Sequence, residues 1–166
     1  MMRVKRRYHL RKSAAKELES KLVSRFGESA KKLLQDPIEI MELKAGREII
    51  LARGEPVAFK TSEGLFPSLN SLAILPLKRV TVDMGAVGPI SSGANTMAPG
   101  VIKADKDIAR GDIVVVTNER HDKPLAIGVA LVNSGSLKGS KGEVVRNFHH
   151  IGDEIWDLTK RGVGKD

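Results

Sequence analysis

The stretch VTVDMGAVGPISSGANTMAPG, Val80 to Gly100, sets four glycines and two prolines behind the opening of a β-strand pattern. Glycine has no Cβ, so such a run can take positive φ and let another group approach its N–H groups. A nucleotide pocket does not fit. A phosphate loop ends in Gly-Lys-Ser/Thr and the dinucleotide fingerprint reads G-x-G-x-x-G, and neither occurs here.

Downstream of this run, short apolar segments alternate with Gly, Asp and Pro turns. Strands are expected over Arg79–Asp83, Ile113–Thr117, Leu125–Asn133, Glu143–Phe148 and Glu154–Leu158. Spacing of about ten residues predicts a small barrel or sandwich. Upstream, Ser13 can cap a helix whose apolar residues Ala15, Leu18, Leu22 and Phe26 recur at helical steps. Gly27 sits where a C-terminal cap belongs, and a second short helix over Glu28–Leu34 stops at Asp36-Pro37. A strand over Ile38–Leu43 and a hairpin of Arg47–Arg53 with Pro56–Lys60, turning at Gly54-Glu55, follow. The turn-rich segment Glu63–Pro76 then marks a boundary. The expectation is an α+β domain over residues 1–77, a mainly β domain over 78–160 and a flexible tail over 161–166.

Composition limits the partners. The chain has 166 residues, 41% hydrophobic, with no apolar run near the length of a membrane span. It has no cysteine, which excludes disulfides and thiolate metal sites, and its start, MMRVKRRYHL, lacks the apolar core of a secretory signal. A cytoplasmic protein with no membrane partner is expected. The net charge of +8 is lopsided: residues 1–78 hold 16 Lys and Arg against 9 Asp and Glu, the remainder 12 against 11. Within the basic half, Arg3, Lys5, Arg6, Arg7, Arg11 and Lys12 stand together without an acid. Such a run is either a solvated strand edge or arm, or a face for polyanions whose phosphates it neutralises. Tyr8 and His9 inside it offer stacking surfaces for RNA.

The segments VDMGA, SSGANTMAPGV, GDIVVV, PLAIGVA, the Lys141-Gly142 turn and HHIGDEIWDL stand in the order and spacing of a PUA domain, which residues 79–158 resemble. Joined to EPVAFKTSEGLFPSLNSLAILP, the chain from about residue 40 onward resembles the pre-PUA plus PUA family of the malignant T-cell amplified sequence protein and its archaeal relatives. This resemblance implies an α+β N-terminal pre-PUA domain followed by a mainly β PUA pseudobarrel. It also implies an RNA surface on a short helix over residues 85–92, carrying Gly85, Ser91 and Ser92, and on the loop Gly93, Ala94, Asn95, Thr96, Met97, Pro99 and Gly100. The residue types agree, since neutral donors and acceptors cluster with glycines that let backbone come near. Met97 and Ala98 are expected against the barrel, with a Met wedge beside an unstacked base as the other reading. Lys78 and Arg79 are expected either as phosphate contacts or as an interdomain salt bridge.

Catalysis finds no support in the residues. His149 and His150 are adjacent, so on a strand they point to opposite faces and cannot share one site. Asp83 precedes Met84-Gly85 as a helix cap, and Asp112 follows Gly111 as a turn residue. Trp156 is expected inside the barrel. No metal-ligand cluster, cofactor motif or nucleophile-base pair emerges. The family resemblance implies a non-enzymatic RNA-binding protein acting with rRNA or tRNA, the small ribosomal subunit and a translation-factor protein, in initiation or recycling. The alternatives are an accessory subunit in RNA modification and a protein-interaction adaptor.

Overall fold

Five strands succeed one another as an antiparallel meander in the first half of the chain: β1 (Val4–His9), β2 (Ile38–Leu43), β3 (Glu48–Ala52), β4 (Glu55–Thr61) and β5 (Gly64–Pro67). The computed structural model describes residues 2–161 and divides into two units, residues 2–76 with 154–161 and residues 77–153. The β3–β4 turn has Arg53 at φ +53° and Gly54 at φ +81°, the double positive φ that suits the twist of a tight hairpin.

Helix α1 (Lys12–Phe26) lies on this sheet, where its Leu22 joins Ile38, Ile40, Ile50 and Ala58 in one core with Ala30 and Leu33. No side chain caps the helix. It begins at Lys12 with Arg11 as N-cap, so the expected Ser13 cap is incorrect. A cap is worth about 1 kcal/mol, whereas burying one Leu is worth roughly 1.5–3 kcal/mol, so packing sets the start. Gly27, at φ +91°, ends the helix by donating its N–H to Val23 O. The second expected helix is a 3-10 segment over Glu28–Leu33, and the turn-rich region contains β5.

The second unit holds β6 (Lys78–Val82), helix α2 (Val87–Ile90), β7 (Thr96–Met97), β8 (Val101–Ala104), β9 (Ile113–Asn118), β10 (Pro124–Ala130) and β11 (Glu143–His150). Their order is β7-β11-β10-β9-β6-β8, with β6 parallel to β9 and every other pair antiparallel. The two edge strands, β7 and β8, are joined by a 3-10 turn over Ala98–Gly100, so the sheet curls into a nearly closed pseudobarrel. Val80, Val82, Ile90, Val116, Leu125 and Val144 fill it. At Gly128, a Cβ would stand 2.2 Å from Arg146 O across a bulge between β10 and β11. Only glycine fits there.

Glu154–Leu158 is not a final strand. It lies in helix α3 (Glu154–Arg161), which belongs to the first unit and meets β4. The buried residues Ile155 and Leu158 are three apart, a helical rather than a strand period. Trp156 is therefore a helix residue of the first unit and not a barrel residue. Residues 162–166, most of the expected flexible tail, lie outside the described residues.

Candidate functional site

The glycine run leaves β6 at Asp83, whose Oδ1 accepts the Ala86 N–H at 3.0 Å, so its carboxylate is a cap as expected. The Asp83 N–H donates to Gly100 O at 2.9 Å, which closes the base of the loop. Gly93 ends the helical turn at φ +100°, its N–H donating to Ile90 O at 3.0 Å. A Cβ at this position would meet His150 Nε2 at 3.3 Å.

Two asparagines pin the loop to β11. Asn95 Oδ1 accepts the Asn147 N–H at 2.9 Å and its Nδ2 donates to Glu143 Oε2 at 3.1 Å. Asn147 Nδ2 donates to Ile90 O at 3.1 Å and Ala94 O at 3.0 Å. Each of these hydrogen bonds contributes about 0.5–1.5 kcal/mol, and together they tie the loop to β11 and hold it in one shape. Asn147 went unnoticed in the sequence because its partners stand more than fifty residues away.

The residues expected on the RNA surface separate by exposure. Gly85, Ser92, Gly93, Ala94, Met97 and Pro99 are exposed, Ser91, Asn95 and Gly100 half-buried. Thr96 is only 2% exposed, opposite Val145, and keeps its hydroxyl away from the surface. Ala98 is buried as expected, but Met97 is 48% exposed and does not pack against the barrel.

The fold sets charge and aromatic surface beside this neutral loop. Gly142 O accepts the Ala98 N–H at 2.8 Å, which puts the exposed Lys141 next to the 98–100 turn. Along β11, Arg146 is exposed and its guanidinium lies 5.0 Å from the Phe148 ring centre. Val145 and His149 are buried, Arg146 is exposed and Phe148 and His150 are half-buried; the bulge opposite Ile127 and Gly128 breaks strict alternation along β11. Neither that bulge nor the strand's nearness to the loop was readable in EVVRNFHH.

Lys78 and Arg79 open β6, four to five residues from Asp83 and so roughly 13–17 Å from the loop base. Lys78 Nζ lies 3.0 Å from Asp112 Oδ2 and 2.9 Å from Asp107 O. The hydrogen bond to Asp112 raises the lysine's pKa, while the Ala109 N–H and then Lys78 hold the Asp112 carboxyl below its ordinary range. Arg79 pairs with Asp122. All these partners stand in the same unit, so the expected interdomain bridge is incorrect.

The basic N-terminal run forms the edge strand β1 and the start of α1. Arg6 makes a two-pronged pair with Glu42 at 2.7 and 2.9 Å, Arg7 another with Glu39 at 3.0 and 2.9 Å. These hydrogen bonds hold both carboxyls below the usual range. Arg3, Lys5, Arg11 and Lys12 have no ion pair among the described residues. Tyr8 is half-buried against the α1 core under Arg6, 4.9 Å from its ring centre, and does not offer the free stacking face expected of it.

His149 is 1% exposed and its Nδ1 lies 2.8 Å from Asp153 Oδ2, whereas His150 Nδ1 donates to Ile151 O at 2.8 Å. The two rings serve different partners. Among the described residues no group of three His, Asp or Glu could hold a metal, and no helix is long and apolar enough to cross a membrane.

Residues 78–152 match the model of the PUA domain. Over 92% of each chain, the sequence is 32% identical to translation machinery-associated protein 20 of Eremothecium gossypii. Over 90% of this chain and 89% of the relative, it is 32% identical to human malignant T-cell-amplified sequence 2. A hypothetical protein from the hyperthermophilic archaeon Pyrococcus horikoshii superposes with a TM-score of 0.73 at 35% identity, covering 93% of this chain and 99% of that one. On this sequence identity, its span and the matching pseudobarrel, the chain belongs to the family of PUA-domain proteins that includes the malignant T-cell-amplified sequence proteins and translation machinery-associated protein 20.

Proposed function

We propose that this chain is a non-enzymatic, cytoplasmic RNA-binding protein of translation, acting with the small ribosomal subunit or tRNA in initiation or recycling. The observation that carries the reading is the loop Gly93–Gly100: a neutral backbone surface, pinned by Asn95 and Asn147, with Lys141 and Arg146 beside it. Exposed glycines let ribose and phosphate come close, and a fixed loop selects shape. Arg3, Lys5, Arg11 and Lys12 add sequence-independent attraction. The relatives' link to the translation machinery supports the choice of partner. Lys78 and Arg79 contribute less than Lys141, because carboxylates already neutralise them.

Sedimentation with small ribosomal subunits over a salt series tests this. Comigration at low salt that fades as salt rises is expected, and Gly93→Trp should abolish it, since that position combines a positive φ with a close histidine. Protein that stays free at every salt would overturn the ribosomal reading. Retained binding by Gly93→Trp would overturn the site.

A further inference from the structure

The β9–β10 hairpin tip, residues 119–123, joins the barrel beside the same loop. The Glu119 N–H donates to Val82 O at 2.9 Å, and the next residue of the chain, Asp83, holds Gly100 O at 2.9 Å. The tip and the loop end therefore attach to successive residues. The tip is also braced. Asn118 Oδ1 accepts the His121 N–H at 2.8 Å, Asn118 O accepts the Asp122 N–H at 3.1 Å, and the Asp122 carboxylate pairs with Arg79. Asp122 sits at φ +52°, a conformation costing a non-glycine residue on the order of 1 kcal/mol, so these bonds define the turn.

What the braced tip presents is cationic. Arg120 and Lys123 are exposed and without an ion pair among the described residues, and since Arg79 takes up Asp122, they outnumber Glu119. Lys103, directly opposite Thr81 on β8, is likewise exposed and unpaired among the described residues. Strands β8, β6, β9 and β10 are consecutive neighbours, so at ~4.8 Å per strand Lys103 and Lys123 are roughly 15 Å apart. That span covers several phosphates at ~3.4 Å per nucleotide of one strand.

We infer that this hairpin tip is a second wall of the RNA site, with Arg120, Lys123 and Lys103 contacting the ribose-phosphate backbone of nucleotides that continue past the glycine loop. The inference rests on the RNA-binding reading above. It is tested with the full chain, total tRNA and purified small-subunit rRNA, measuring affinity over a salt series. Arg120→Ala with Lys123→Ala should weaken binding about tenfold and lower the slope of log affinity on log salt by about 1.4–1.8, at ~0.7–0.9 per phosphate. Lys106→Ala with Arg110→Ala removes equal charge from the turns that precede β9, at the other end of that strand, and should change the slope less than half as much. Equal losses in both pairs would reduce the effect to net charge and overturn the inference, as would an unchanged tip variant. A parent protein that binds neither RNA overturns the RNA reading itself, before any variant is made. Both pairs are exposed, so unchanged thermal melting shows that the fold is kept.

Discussion

The basic edge strand β1 and the neutral glycine loop exchange roles between sequence and structure. In the sequence, β1 is the most cationic run and the loop has no charged residue at all. In the structure, Arg6 and Arg7 are committed to Glu42 and Glu39, while the loop has Lys141 at its border and the free cations of the hairpin tip beyond Gly100. Counting charges along a chain therefore overstates one surface and understates the other. A charge bound by its own sheet cannot release a counterion from RNA, whereas a charge brought to the rim of a fixed loop can.

The strongest way to break this comparison is to detach the loop from its neighbours. Gly128→Ala would drive a Cβ into Arg146 O and displace β11, the strand that carries Arg146 and anchors Asn95. We expect a loss of about 3 kcal/mol, at the upper end for overpacking, seen as a clearly lower melting temperature together with lost RNA binding. A variant that melts like the parent would show that the bulge is not needed.

A smaller effect separates bound from free cations within the basic N-terminal run. Arg3→Ala with Lys5→Ala should reduce the salt slope of RNA binding by about 1–2, because these side chains are unpaired. Arg6→Ala with Arg7→Ala, the same change in net charge, should reduce it by less than half as much. Equal slopes in the two pairs would mean that the ion pairs to Glu42 and Glu39 open on binding.

The smallest effect is on acid stability. Glu39, Glu42 and Asp112 have carboxyls held low in the folded state, so in acid the unfolded chain takes up protons first. Their stabilisation is complete above the ordinary carboxylate value of about 4 and is lost as pH falls through the lowered values. The melting temperature should be flat near neutrality and drop only below about pH 4. Asp112→Asn should flatten part of that drop, and an unchanged acid limb would remove Asp112 from the account.

Much of the fold was legible in local patterns. Apolar runs bounded by turn residues marked β2, β9 and β11, a hairpin between β3 and β4 was expected at Gly54-Glu55 and turns one residue earlier at Arg53-Gly54, and the order of segments around Gly93 and Gly152 resembled a PUA domain. Besides β5, hidden in the turn-rich segment, three elements resisted for separate reasons. Strand β7 is only two residues long, too short for a period to show, and β8 lies behind a proline-glycine turn. Helix α3 was misread because its few apolar residues fit either period until Ile155 and Leu158 were seen buried together. At the site, Gly93, Gly100 and Asp83 were recognisable because their roles depend on their own backbone. Asn147, Lys141 and Arg146 were not, because their roles depend on which strand lies next to them.

By itself, then, the sequence determined the family, the two-part architecture and the glycine loop, since turns, strand periods and backbone freedom are local properties of residues. Only the tertiary structure decided which charges are free and which are held. Arg6 meets Glu42 across 36 positions of chain and Arg79 meets Asp122 across 43, and pairing at such separations is fixed by sheet order and register. The neutral loop gained charged neighbours because β11 and the β9–β10 hairpin are brought beside it by the order of the sheet.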